Sequence, residues 1–185
     1  MQSLVKAFTL CTIIFAITSC AKNDSRFLIA KGKIGDLTNL NYASQLDSLF
    51  AADSVVTRSS KDDIVYVGGD SFLIYEKGGS HLFTATPASK DSLKPIETIR
   101  VIDPRFKTEK GLSVESTFKD IRDNYTISSI QNSINSVVVF VNEIDAFITI
   151  DKKELPANLR YDSSIKIEEV QIPDTAKFKY FMLGW

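Results

Sequence analysis

Apolar side chains fall along this chain in three patterns. Ala7 to Thr18 (AFTLCTIIFAIT) is a nearly unbroken apolar run. From about residue 27 onward, apolar and β-branched positions gather in short segments such as Ile64-Val-Tyr-Val67, Ser71-Phe-Leu-Ile-Tyr75, Ile96-Glu-Thr-Ile-Arg-Val101, Ser136-Val-Val-Val139 and Ala146-Phe-Ile-Thr-Ile150. Short β-branched runs of this kind predict strands. At two places the period changes. Leu46 and Leu49, and later Phe118 and Ile121, recur three apart behind Ser44 and Ser116. A serine hydroxyl ahead of such spacing can hold orphan backbone N–H groups, which predicts a short capped helix at each place.

The two helix signals lie 116 − 44 = 72 residues apart, and other segments recur at similar offsets. Ile64–Val67 matches Ser136–Val139 at 72, Ser71–Lys77 matches Ala146–Lys152 near 75, and Ile96–Val101 matches Ile167–Ile172 at 71. Lys31-Gly32 and Lys110-Gly111 precede the helices at an offset of 79. Duplication of one unit accounts for this order, although two similar strand patterns within one sandwich would imitate it. The turns are Gly68-Gly69-Asp70, Gly78-Gly79-Ser80 and, where the first turn would fall in the second unit, Glu143-Ile144-Asp145. The expected fold class is α+β, with two similar tandem units, each a short helix packed on an antiparallel sheet.

The apolar run at Ala7–Thr18 is shorter than the roughly 20 residues of a membrane span and follows a start bearing Lys6, as in a secretory signal. Ile17-Thr18-Ser19-Cys20 then resembles the lipobox of bacterial lipoproteins. The resemblance implies cleavage after Ser19, diacylglycerol on the Cys20 thiol, and a membrane partner reached through that lipid. Ala21, rather than Asp, implies the outer membrane under the sorting rule of such proteins; either membrane face remains open. The expected organisation is a signal peptide over 1–19, a lipidated tether over 20–26, and α+β units over 27–104 and 105–185.

Charge and cysteine content narrow the partners. The formal net charge is −1, from 22 basic and 23 acidic residues, and losing Lys6 brings the mature body to −2. No basic block is present, so a phosphate-tracking nucleic-acid face is not expected. The two cysteines are Cys11, in the leader, and Cys20. The body therefore has neither disulfide nor free thiol, and its size allows a core without a covalent staple.

Chemistry is sparse. His81 is the single histidine, expected in an exposed turn, and no Gly-x-Ser-x-Gly elbow supplies a nucleophile. One histidine and no free thiol leave no zinc set, and Asp62-Asp63 with Glu143 and Asp145 do not form a calcium-loop pattern. No cofactor, metal or catalytic residue is assigned. The C-terminal Phe178-Lys-Tyr-Phe-Met-Leu-Gly-Trp185 reads either as a last core strand or as an exposed aromatic edge that binds a partner by strand addition through Phe178, Tyr180, Phe181 and Trp185. The tandem helix-plus-sheet plan is similar, in architecture only, to the β-lactamase inhibitory protein and to small outer-membrane assembly lipoproteins, families that act by binding proteins. The expectation is a lipid-anchored cell-envelope protein that binds a protein or other envelope component without catalysis. The alternative is a carboxylate-based envelope hydrolase.

Overall fold

The computed structural model describes residues 25–59, 70–88 and 95–185. The leader, Cys20, Asp62-Asp63, the Ile64–Val67 segment and Gly68-Gly69 lie outside the described residues.

The strands are β1 (Leu28–Ala30), β2 (Lys33–Ile34), β3 (Leu37–Thr38), β4 (Ser54–Arg58), β5 (Ser71–Tyr75), β6 (His81–Pro87), β7 (Ile96–Val101), β8 (Lys107–Thr108), β9 (Ser129–Asn132), β10 (Ser136–Val141), β11 (Ala146–Asp151) and β12 (Phe178–Gly184). Helix α1 (Leu46–Leu49) precedes β4, and α2 (Phe118–Asn124) precedes β9. The large sheet has the order β4-β5-β6-β7-β12-β11-β10-β9, and every pairing in it is antiparallel. Each half is thus a helix followed by a four-strand meander, and the two meanders meet last strand to last strand at β7 and β12. The protein is α+β, built from two similar tandem units.

The alternation in the sequence becomes a two-faced sheet. Register places Ile130, Val139, Ile148, Phe181, Val101, Phe83, Ile74 and Val55 in one row across all eight strands. The row is buried at its centre and half-buried at its ends. Leu46, Phe50, Phe118 and Ile121 join this same core, with Leu49 partly buried against it, so α2 buries its three-apart pair and α1 buries Leu46 with Phe50 just past its end. A fully buried side chain of this size stabilises by about 1.5–3 kcal/mol. The small sheet, β3-β2-β1-β8, ties the units together, because β1 and β8 pair in parallel with Leu28 opposite Lys107.

Each helix is also tied to the start of its unit's last strand. Tyr42, ahead of α1, bridges Pro95, and Thr117, ahead of α2, bridges Lys177. Thr117 is the N-cap of α2, its N–H donating to the Asp120 carboxylate at 2.7 Å. Neither predicted serine caps a helix. Ser44 lies within a 3-10 turn, Ala43–Gln45, and the Ser116 hydroxyl instead accepts from the Ser113 N–H.

Past the helices, the sequence matching is out of register. By strand order, β5 corresponds to β10, β6 to β11 and β7 to β12. Ser71–Lys77 therefore does not match Ala146–Lys152, and Ile167–Ile172 is not a strand but a loop with a 3-10 turn at Glu169–Gln171. Glu143–Asp145 joins β10 to β11, the counterpart of the Gly78-Gly79 turn between β5 and β6. Both turns require left-handed backbone, at φ 121° and 113° for the glycines and 52° for Asp145. Two connections cause the drift. Residues 59–70 separate β4 from β5, whereas only 133–135 separate β9 from β10. Eight residues, 88–95, separate β6 from β7, whereas residues 152–177 separate β11 from β12.

Candidate anion-binding cleft

That long connection builds a cleft of about 600 Å³ lined by Ile134, Asn135, Asp151, Lys152, Lys153, Arg160, Tyr161 and Lys179. Four cations face one carboxylate there. Asp151, the last residue of β11, starts the connection by accepting the Lys153 N–H at 3.0 Å, which turns the chain into the 3-10 segment Lys152–Glu154. Its carboxylate also accepts from Lys179 Nζ at 3.0 Å. These two donors hold the Asp151 carboxyl below the ordinary range, the backbone N–H of Lys153 first and the Lys179 side chain second.

Lys152 is the unusual member. The residue is only 4% exposed, yet its Nζ donates to a backbone carbonyl, that of Asp162, at 3.3 Å. Its own N–H donates to the Asn135 carbonyl at 3.1 Å, fixing it against the β9–β10 turn. Arg160 is anchored through Nε to the Leu155 carbonyl at 2.7 Å, a contact that does not use the two terminal nitrogens of its guanidinium. Among the described residues, no carboxylate forms an ion pair with Lys152, Lys153 or Arg160. The Asp162 carboxylate is turned onto Ser164, accepting its N–H at 2.8 Å and its hydroxyl at 2.6 Å, and these contacts hold it below the usual range.

The walls are pinned on both sides. Asn132, at the end of β9, donates through Nδ2 to the carbonyls of Asp162 and Ile165 at 3.0 and 2.9 Å. At the far end, Phe118 and Lys119 of α2 donate backbone N–H groups to Ala176 and Asp174, and Arg122 pairs with the Asp174 carboxylate. Tyr161 and Ile134 stand on the rim at 90% and 76% exposure, two large apolar surfaces that nothing in the fold covers.

Lys179 reaches the cleft because β12 bulges. Thr149 pairs with Tyr180 and Ile150 with Phe178, leaving Lys179 as the extra residue. This strand corrects the edge-strand reading of the C-terminus. It is central, paired with β7 on one side and β11 on the other, so it has no free edge for strand addition. Phe181 is buried in the core row, and Phe178 packs edge-on against it at 6.3 Å. Trp185 is partly buried, its backbone N–H bonded to the Glu97 carbonyl and its indole Nε1 buried without a partner. Of the four aromatics, Tyr180 is the exposed one, on the outer sheet face beneath Arg100 at 4.3 Å. Phe140, Phe147 and Met182 flank it there, outside the main core, with Phe140 and Phe147 stacked at 6.1 Å.

Several of the other charged groups are paired with one another. Arg105 grips Glu76 through both terminal nitrogens, at 3.2 and 2.8 Å, and Asp103 through Nε and Nη2, at 3.0 and 2.8 Å. Arg26 adds Asp53 at 2.7 Å. The Arg105 hydrogen bonds hold the carboxyls of Glu76 and Asp103 below their ordinary values, the reverse of what a general acid needs. Glu143 accepts from the Thr126 N–H and from Lys110, and Asp145 lies 3.7 Å from Lys31. Among the described residues, no group of three or more His, Cys, Asp or Glu side chains is placed to hold a metal ion.

His81 is not in an exposed turn. It opens β6, half-buried, stacked on Tyr75 at 4.6 Å, and shares a hydrogen bond with Thr84 at 3.2 Å rather than with a carboxylate. Burial pushes its pKa down.

No protein-family model matches the chain, and no curated protein matches it in sequence. The fold is similar to the crystal structure of the uncharacterized protein yfeY from Escherichia coli, with a TM-score of 0.52 and 12% sequence identity over 85% of this chain and 99% of that one. This likeness is one of fold. Among the described residues, no helix is long and apolar enough to cross a membrane.

Proposed function

We propose that this chain is a lipid-anchored protein of the cell envelope, attached through Cys20, that binds an anionic envelope component in the Lys152–Arg160 cleft and performs no catalysis. The observation that carries the binding assignment is the cleft's excess of positive charge: the buried Lys152 is bonded to a backbone carbonyl rather than paired with a carboxylate, and the Asp162 carboxylate acts on it only at longer range. Taking an ammonium group out of water is unfavourable unless an opposite charge compensates it, and an anionic ligand would supply that charge. The hydrolase alternative gains no support. It calls for two carboxyls whose environments push their pKa values apart, and both Glu76 and Asp103 are pulled down by the same guanidinium.

Anchoring rests on the Ile17–Cys20 motif behind its apolar run, and Ala21 favours the outer membrane. Four residues, Ala21 to Asp24, connect Cys20 to Ser25, so the five steps of chain keep the first described residue within about 18 Å of a lipid-bearing Cys20. The test has two parts. Cys20→Ser in the native cell removes fatty-acid labelling and moves the protein out of the membrane fraction; persistent labelling defeats the anchor. The purified full chain, titrated calorimetrically with a panel of small anions (inorganic phosphate, citrate, succinate), binds at least one in a manner weakened by Lys153→Gln. An absence of binding to all three defeats the cleft assignment.

A further inference from the structure

Resting on that reading, we infer that the ligand of the cleft is a phosphate monoester, whose dianionic phosphoryl group is held by Lys152, Lys153, Arg160 and Lys179. Charge comes first. Asp151 is engaged by Lys179 and by the Lys153 N–H, and the Asp162 carboxylate lies within electrostatic reach of Lys152, so two carboxylates stand against four cations and leave an excess of two positive charges (4 − 2). A single carboxylate carries one charge and is satisfied by one guanidinium fork. A phosphate monoester carries about −1.5 to −2 at neutral pH and offers three terminal oxygens, which suits several converging donors.

Donor chemistry agrees with charge. Arg160 is fixed through Nε, so its two terminal nitrogens form a pre-oriented pair for two phosphate oxygens. Lys152 adds a point charge from the buried side, its position set by the Asn135 and Asp162 carbonyls. Lys153 and Lys179 approach from opposite ends of the connection, 26 residues apart in sequence, and the Asp151 carboxylate holds the backbone N–H of the first and the ammonium of the second.

Tyr161 and Ile134 describe the rest of the ligand. Both are large, apolar and almost uncovered, and both line the cleft that the cations line. An ester whose carrier has apolar character would cover them. Two sources fit this chemistry, the headgroup of a phosphomonoester lipid and a water-soluble phosphate ester, and they are separated by experiment.

The full chain, purified in a non-ionic detergent, is titrated calorimetrically with glycerol 3-phosphate and with succinate, a dianion whose charges are spread over two carboxylates. Glycerol 3-phosphate is expected to bind about tenfold or more tightly than succinate. Its affinity should rise between about pH 5 and pH 7, as the second phosphate proton leaves near pH 6, while that of succinate, whose second proton leaves at lower pH, levels off earlier. Arg160→Gln and Lys153→Gln each weaken glycerol 3-phosphate by about tenfold while leaving the thermal midpoint near that of the parent. Lys153 lies on the exposed side of the connection, so its variant remains informative if Arg160→Gln fails to fold.

Dihexanoyl phosphatidate separates the sources, with dihexanoyl phosphatidylcholine as the control for partition into detergent. A gain over glycerol 3-phosphate that Tyr161→Ala removes marks a lipid; equal affinities mark a water-soluble ester. Succinate binding as tightly as glycerol 3-phosphate overturns the phosphoryl assignment and leaves anion binding standing. Failure of phosphate, citrate and succinate alike overturns both.

Discussion

Arg100 of β7 lies over the ring of Tyr180 of β12, its guanidinium carbon 4.3 Å from the ring centroid, at the seam where the two units join. The contact crosses from the last strand of one meander to the last strand of the other, on the outer face of the sheet. A cation over an aromatic face at an exposed site stabilises by about 0.5–1 kcal/mol. A double-mutant cycle with Arg100→Ala and Tyr180→Leu, read by urea denaturation, should return a coupling of about that size. Zero coupling would mean that the seam is held by backbone pairing and inner-face packing alone.

Tyr180 and Phe181 are sequence neighbours on opposite faces of the sheet, the first 37% exposed and the second 1%. Phe181→Ala opens a cavity among Ile148, Val101 and Phe178 and should lower stability by about 3–5 kcal/mol. Tyr180→Ala should lower it by about 1 kcal/mol. If the two losses are equal or reversed, the register of β12 given by its bulge is wrong.

Stability should fall in acid partly through Arg105. Its hydrogen bonds depress the carboxyls of Glu76 and Asp103 in the folded protein below ordinary values of 4.5 and 3.8. For a depressed acid, the unfolded chain takes up the proton first as pH drops. The contribution is therefore complete above about pH 5 and is lost as pH falls through the lower folded values. Arg105→Met should lower the denaturation midpoint at pH 7 more than at pH 3. A gap that is constant across this range would show that the variant acts by lost packing against Phe27, over which the guanidinium also lies.

The body should stand on its own without metal or thiol chemistry. Residues 25–185 contain no cysteine, and the buried side chains of both units form one core. A chain lacking Met1 to Asp24 should unfold in one cooperative transition whose midpoint is unmoved by a chelator or by a reductant. A chelator-induced loss of structure would reveal an ion that the fold depends on.

Much of the architecture is legible in the sequence because two periods differ. Leu46 with Leu49, and Phe118 with Ile121, repeat at three, which only a helix turns into one face, and both pairs sit where the pattern places them. The exact caps are not legible, because Ser44, Ser116 and Thr117 are chemically close and backbone geometry decides among them. Strand correspondence fails for a related reason. Apolar strands match one another at many offsets, and the extra length of residues 152–177 moves β12 out of step without leaving a landmark.

The cleft was the least visible part. Lys152, Arg160 and Lys179 are scattered through sequence of ordinary composition, and only the closing of the long connection against Asn132 and the bulge in β12 brings them together. The hint available was negative. Residues 153–166, between Ala146–Lys152 and Ile167–Ile172, are longer than a hairpin needs. The terminal aromatics are the more conspicuous feature of the sequence, yet an apolar chain end looks the same whether its strand is central or at an edge.

Residues 152–177 occupy a position where the other unit manages with eight residues, so the sheet does not depend on their length. Lengthening a surface connection changes closure entropy only logarithmically, about 0.6 kcal/mol per doubling. A paired architecture of this kind gives selection a spare part: one copy preserves the scaffold while its twin is free to acquire new recognition surfaces. The same freedom is open to the protein engineer. Leu155, Leu159, Ile167, Ile172 and Ala176 of the connection are buried in the core, so the part free to vary is the largely exposed stretch 160–166, and exchanging that stretch should write new specificities onto the scaffold.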